Sequence, residues 1–109
     1  MALTKNFKQT VAARVQKDAR FRRALLTEAV EIFLAGDVAT GKAILRDYIN
    51  ATIGFEKLAK RLNKPSKSVH RMLGTAGNPR ADNIFAIFKI LQDEDNKSLL
   101  VKVDKRKAA

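Results

Sequence analysis

Residues 66–71 contain side chains that could make charged contacts and hydrogen bonds with a polyanion. Ser66, Lys67, Ser68, His70 and Arg71 would share the solvent side of one short helix. A row of hydrogen-bond donors and positive charges on a helix is suited to reading base edges in a major groove. We therefore assign Ser66, Lys67, His70 and Arg71 to base contacts. The alternative interpretation is an ordinary solvated helix face.

Contacts with backbone phosphates are predicted for a second set of residues, most of them in turns that flank this helix. Short polar and basic side chains in such turns position a protein on a duplex without reading its sequence. The alternative is ordinary loop polarity. The residues assigned to phosphate contacts are Lys64, Ser68, Asn78 and Arg80.

The pattern over residues 54–74 predicts a helix-turn-helix. Two amphipathic helices, at residues 54–62 and 66–73, would meet at a tight corner at residues 63–65. Asn63 suits this corner because Asn tolerates the left-handed conformation better than most non-glycine residues. A small residue at Ala59 would let the two helix axes cross closely. The positions expected to lock the helices together are Leu58, Ala59, Leu62, Val69 and Met72.

Around this motif the sequence predicts an all-α fold of about six helices, and it leaves open whether one short C-terminal β-strand forms. Helices are expected at residues 6–17, from a cap at Asp18 to about residue 35, from a cap at Asp37 to about residue 49, and from about residue 80 to Gln92. Alternation over residues 98–103 favours the strand. Residues 1–53, 54–94 and 95–109 would form a supporting region, the DNA-binding region and a strand with a basic tail, within one compact domain. The expected core aromatics are Phe7, Phe21, Phe33, Tyr48, Phe55, Phe85 and Phe88.

Composition narrows the class of partner. The chain has 109 residues, 22 basic against 11 acidic side chains, and a formal net charge of +11. This excess favours nucleic acid first and an anionic membrane surface second, with mere solubility as the alternative. The absence of Cys and the single His predict no metal site, no cofactor and no catalytic site. No signal-peptide core and no membrane-length apolar run are present, which predicts a cytoplasmic protein.

The motif resembles the Xre-type helix-turn-helix regulators and, among them, the HigA-like putative addiction-module antidote proteins. Residues 58–62 match their first motif helix, residues 68–73 their recognition helix, and residues 77–79 with 84–88 their loop and closing helix. Two positions depart from the pattern. Phe55 replaces a Gln that contacts phosphate, so we expect it to pack into the core. Pro65 replaces a capping hydroxyl residue, for which Ser66 and Ser68 could compensate.

The leading hypothesis is a transcriptional regulator that binds a palindromic site on double-stranded DNA as a homodimer. A single short recognition helix makes few base contacts, so a dimer is expected. The C-terminal strand could pair with its copy in another subunit. The resemblance also implies an antitoxin that binds a toxin protein and represses its own operon. A nonspecific nucleic-acid-binding protein is a further alternative, and a basic nuclease is disfavoured because no catalytic constellation accompanies the basic face.

Overall fold

Six α-helices account for the regular structure of the part of the chain that the computed structural model describes, residues 5–106. This confirms the all-α prediction. None of these helices is both long and apolar enough to cross a membrane. The prediction for Phe7 and the prediction for the last three tail residues lie outside the described side chains. The helices are α1 (Lys5–Lys17), α2 (Ala19–Leu34), α3 (Val38–Ala51), α4 (Phe55–Leu62), α5 (Ser66–Met72) and α6 (Ala81–Glu94).

Two aspartates begin α2 and α3, as predicted. The Asp18 carboxylate accepts a hydrogen bond from the Phe21 backbone N–H at 3.1 Å, and Asp37 accepts one from the Thr40 N–H at 3.1 Å. Such caps satisfy N–H groups that have no partner within the helix. Gly36, between the two helices, has φ of +90°, a conformation that a residue with a Cβ rarely adopts.

The hydrophobic core is centred on α3, which packs extensively against α2. Leu45, Tyr48 and Ile49 of α3 are at most 1% exposed, and Leu26 of α2 and Ile87 of α6 belong to the same cluster. Burial raises the pKa of the Tyr48 hydroxyl to about 12. Tyr48 is therefore a core residue, as predicted, and α3 packs against α1, α2 and α4.

The predicted helix-turn-helix is present, with α4 as its first helix and α5 as its second. Leu58, Ala59 and Val69 are at most 3% exposed, while Leu62 and Met72 are partly buried against the same cluster. All five predicted locking positions therefore contact the core. Asn63 ends α4 in the left-handed conformation, with φ of 56° and ψ of 44°. The corner thus forms by the mechanism that the sequence predicted.

Two predictions about α6 were wrong. Phe85 is 70% exposed, because the core face of α6 follows Ile84, Ile87 and Phe88 at helical spacing and leaves Phe85 on the opposite side. The helix also continues to Glu94, two residues beyond the predicted end at Gln92. Its acidic end is stabilised by basic side chains from other helices, which offset the unfavourable interaction with the helix dipole.

The predicted C-terminal strand does not form within the described chain, where residues 97–106 have no regular structure. A strand needs a neighbour for its backbone hydrogen bonds, and the described residues supply no second strand. The Leu99 N–H instead donates to Gln92 Oε1 at 2.7 Å, and the Leu99 side chain packs against the core. Beyond Leu99, the apolar residues Leu100, Val101 and Val103 are exposed.

Candidate nucleic-acid interface

Three of the five polar residues predicted for the outer side of α5 are well exposed. Lys67, His70 and Arg71 are exposed, whereas Ser66 and Ser68 are half-buried. The two serines are therefore less accessible than the other three residues predicted for this side. They also do not cap α5, because its N-cap Pro65 has no side-chain hydrogen bond and neither serine replaces it. Lys67, His70 and Arg71 are thus the side chains best placed to reach a groove.

His70 is held by an aromatic contact that the sequence did not reveal. Its ring stacks on Phe55 with the centroids 4.0 Å apart and an interplanar angle of 20°. Phe55 is 6% exposed, so the expectation that it packs into the core is confirmed. Stacking covers one face of the imidazole but not the ring edge, where the two nitrogens form hydrogen bonds in the ring plane. His70 therefore joins the start of α4 to the exposed side of α5.

The basic residues of the motif fall into two groups, those that form ion pairs with acidic side chains and those that do not. On α4, the Lys57 ammonium lies 3.2 Å from a Glu94 carboxylate oxygen, and an Arg61 guanidinium nitrogen lies 2.8 Å from the other oxygen. Hydrogen bonds from Lys57 and Arg61 hold the pKa of Glu94 below its usual range. These two bases are therefore partly neutralised, and they fasten α4 to the end of α6.

The basic residues of the motif that make no ion pair lie on α4, in the turn and on α5. They are exposed, and none makes an ion pair with another described residue. Neither desolvation nor pairing therefore reduces their attraction for an anion, and each contributes positive potential to the surface of the motif. These side chains are Lys60, Lys64, Lys67 and Arg71.

The residues assigned to phosphate contacts occupy different environments. Lys64 and Asn78 are exposed, and Ser68 is half-buried. Arg80 is exposed but lies 3.4 Å from the Asp82 carboxylate. An ion pair between two exposed side chains is weak, so a phosphate could compete with Asp82 for Arg80. Lys64 directly precedes α5, whereas Asn78 and Arg80 follow it on the loop to α6.

The loop after α5 is folded tightly against the end of that helix. The Gly77 N–H donates to the Gly74 carbonyl at 3.0 Å. A Cβ at Gly77 would lie 2.1 Å from the Arg71 carbonyl oxygen, a distance that no side chain can accept. The loop backbone at Gly77, directly before Asn78, therefore lies close to the backbone of Arg71.

Two basic residues of α3 support this arrangement, and the sequence reasoning missed both. Lys42 is 4% exposed, and its ammonium donates to the carbonyls of Gly74 at 2.9 Å and Gly77 at 2.6 Å. The Arg46 guanidinium donates to the Leu73 carbonyl. Both cations meet the end of α5, where the last carbonyls have no partner within the helix and the helix dipole favours positive charge. Their four-residue spacing on α3 was the available signal, but nothing in it identified the partner.

Other kinds of site are not assembled within the described residues. No group of three or more His, Cys, Asp or Glu side chains is placed to hold a metal ion there. No family model, no characterised protein and no solved structure matches this chain. The function is therefore inferred from the geometry and charge of the residues themselves.

Proposed function

We propose that this protein is a sequence-specific DNA-binding transcriptional regulator that inserts α5 into the major groove. The observation that carries the proposal is a set of exposed basic side chains without ion pairs, which lie on and beside the second helix of a helix-turn-helix. Lys67 and Arg71 are the candidates for guanine, whose O6 and N7 accept hydrogen bonds from basic side chains. His70 and Ser66, whose side chains are shorter, would make further contacts at the same surface.

Phosphate contacts would fix the register of α5 on the duplex. Lys64 and Ser68 near its start, and Asn78 and Arg80 on the following loop, would approach the backbone on either side of the groove. The clamp formed by Lys42 and Arg46 supports this role because it fixes the end of α5 and the loop relative to α3. A rigid support for recognition side chains is what specific readout requires.

A homodimer on a palindromic operator is part of the proposal. The recognition helix has seven residues, and only three of its polar side chains are well exposed. One such helix reads too few base edges for tight specific binding, whereas two copies on half-sites about one helical turn apart read twice as many. The protein would then act in the cytoplasm on operators of its own or other genes.

Footprinting on the DNA upstream of its own gene is the first test, followed by titration of Arg71→Ala. Loss of a base contact should weaken specific binding by about 1–3 kcal/mol. Arg20→Ala is the matched control, because Arg20 is an exposed arginine on α2 and its removal changes net charge equally. An equal loss on specific and random DNA would show that Arg71 touches only phosphate. No loss at all would contradict the placement of α5 in the groove.

Two related functions are separated by further measurements. A nonspecific nucleic-acid-binding protein would lose its complex when unrelated competitor DNA is added, whereas a reader of base edges should retain it. The antitoxin function implied by the sequence resemblance stays a prediction. Copurification with the product of the neighbouring gene would test it.

A further inference from the structure

We propose that residues 97–106 and the adjacent side of α2 form a contact surface for a second copy of this chain. We define this tail surface by Val30 and Leu34 of α2 and by Leu100, Val101 and Val103 of the tail. The inference rests on the proposed function only in that a palindromic operator calls for a two-fold dimer. Its own support comes from apolar exposure, unpaired backbone groups and charge.

The first observation is apolar exposure concentrated in one place. Leu34 is 74% exposed, and Leu100, Val101 and Val103 are between 84% and 95% exposed. A groove of about 400 Å³ runs between α2 and the tail, and Val30, Leu34 and residues 99–101 line it. Contiguous apolar surface of this kind usually marks a contact site rather than a free surface.

The second observation concerns the backbone of the tail. Lys97 and Leu99 donate to Gln92, but between Leu100 and Asp104 no N–H or C=O makes a hydrogen bond within the described chain. A further extended segment would satisfy these groups as a neighbouring strand. The tail of a second copy is such a segment, and its alternating sequence suits a strand once a partner is present.

The third observation is charge of opposite sign on the two halves of the surface. Glu31 of α2, which lines the groove together with Arg23, is exposed and makes no ion pair with another described residue. Lys97, Lys102 and Arg106 of the tail are likewise exposed and unpaired. A two-fold axis would bring the basic tail of each copy toward Glu31 of α2 in the other. Two copies related in this way would pair the Glu31 carboxylate of each with a basic side chain from the tail of the other.

Sedimentation of the full chain across dilution, without DNA, tests the proposal. The wild-type protein should dimerise, and Val101→Asp with Val103→Asp should raise the dimer dissociation constant by about tenfold or more, since an isologous contact contains each site twice. Phe85→Asp is the matched control: Phe85 is also an exposed large apolar residue, but it lies on α6 outside the tail surface. Unchanged circular dichroism would show that the tail variant keeps its helices.

A charge swap gives a second, independent arm. Glu31→Lys and Lys102→Glu should each weaken the dimer, and the double variant should recover part of the loss. A wild-type protein that stays monomeric, or a dimer that the tail variant leaves unchanged, would overturn the proposal. A monomeric wild-type protein would also contradict the homodimer in the proposed function, whereas failure of DNA recognition alone would appear as an intact dimer without a specific footprint.

Discussion

The buried Lys42 should stabilise the protein chiefly through the two carbonyls that it bridges. Its ammonium is the only donor among the described side chains that contacts both Gly74 and Gly77, the residues that close the loop behind α5. Lys42→Met keeps a side chain of similar length and apolar stem but removes the charge and the donors. The variant would leave the half-buried Gly77 carbonyl without this partner, while the Gly74 carbonyl would keep its hydrogen bond from the Gly77 N–H.

The expected cost follows from the number and kind of hydrogen bonds. A hydrogen bond from a charged donor contributes about 1.5–3 kcal/mol, and two are lost. Met avoids the free-energy cost of desolvating a buried ammonium, and this offsets part of the loss. We therefore expect the free energy of unfolding to fall by about 2–4 kcal/mol, a large share of the roughly 5–15 kcal/mol typical of a domain. The midpoint of thermal unfolding should fall by about 8 °C or more.

Denaturant titration of Lys42→Met beside Lys60→Met measures this difference, because Lys60 is exposed and unpaired on α4. DNA titrations at several salt concentrations add a second readout, taken where both proteins are folded. Lys42 is buried and touches no phosphate, so its loss should lower specific affinity without changing the salt slope, whereas Lys64→Met should reduce that slope. Equal stability of the two Lys→Met variants would refute the clamp.

Two further predictions concern stability. Ala59→Leu should lower the free energy of unfolding by about 1–3 kcal/mol, because the larger side chain overpacks the space between the motif helices. Ala24→Leu, at an exposed position, should not. Equal melting temperatures of the two variants would contradict the packing described. Cap hydrogen bonds, from the Phe21 N–H to Asp18 and from Thr40 to Asp37, lower the pKa values of both carboxyls. The stability that these caps contribute is therefore complete above the ordinary carboxyl pKa of about 4 and is lost as the pH falls through the folded-state pKa values. Asn at both positions should flatten this acid dependence in thermal melts, and an unchanged dependence would show that other carboxyls cause it.

Most helix ends could be predicted from the sequence because they depend on local chemistry. Asp18 and Asp37 cap the helices that follow them, and Asn63 turns the chain between α4 and α5. Each of these signals acts within about four residues, so no knowledge of distant contacts was needed. The helix-turn-helix and its locking positions followed from the same local periodicity.

The tertiary structure decided which charges and aromatic rings are available. Lys57 and Arg61 are paired with Glu94, more than thirty residues away along the chain, and Lys42 reaches carbonyls at the end of another helix. His70 finds Phe55 across the motif. Sequence periodicity assigns a residue to a face but does not say which other element covers that face.

Phe85 and the tail show the same boundary between local and distant information. An aromatic residue on a helix was expected in the core, but the direction of packing of α6 left Phe85 exposed. Alternation over residues 98–103 signalled strand propensity, yet a strand needs a neighbour, and the described chain provides none. The sequence by itself determined the helices, their caps and the motif, because these depend on residues a few positions apart. Only the fold decided which side chains remain free to meet a partner, because that depends on which distant elements come together.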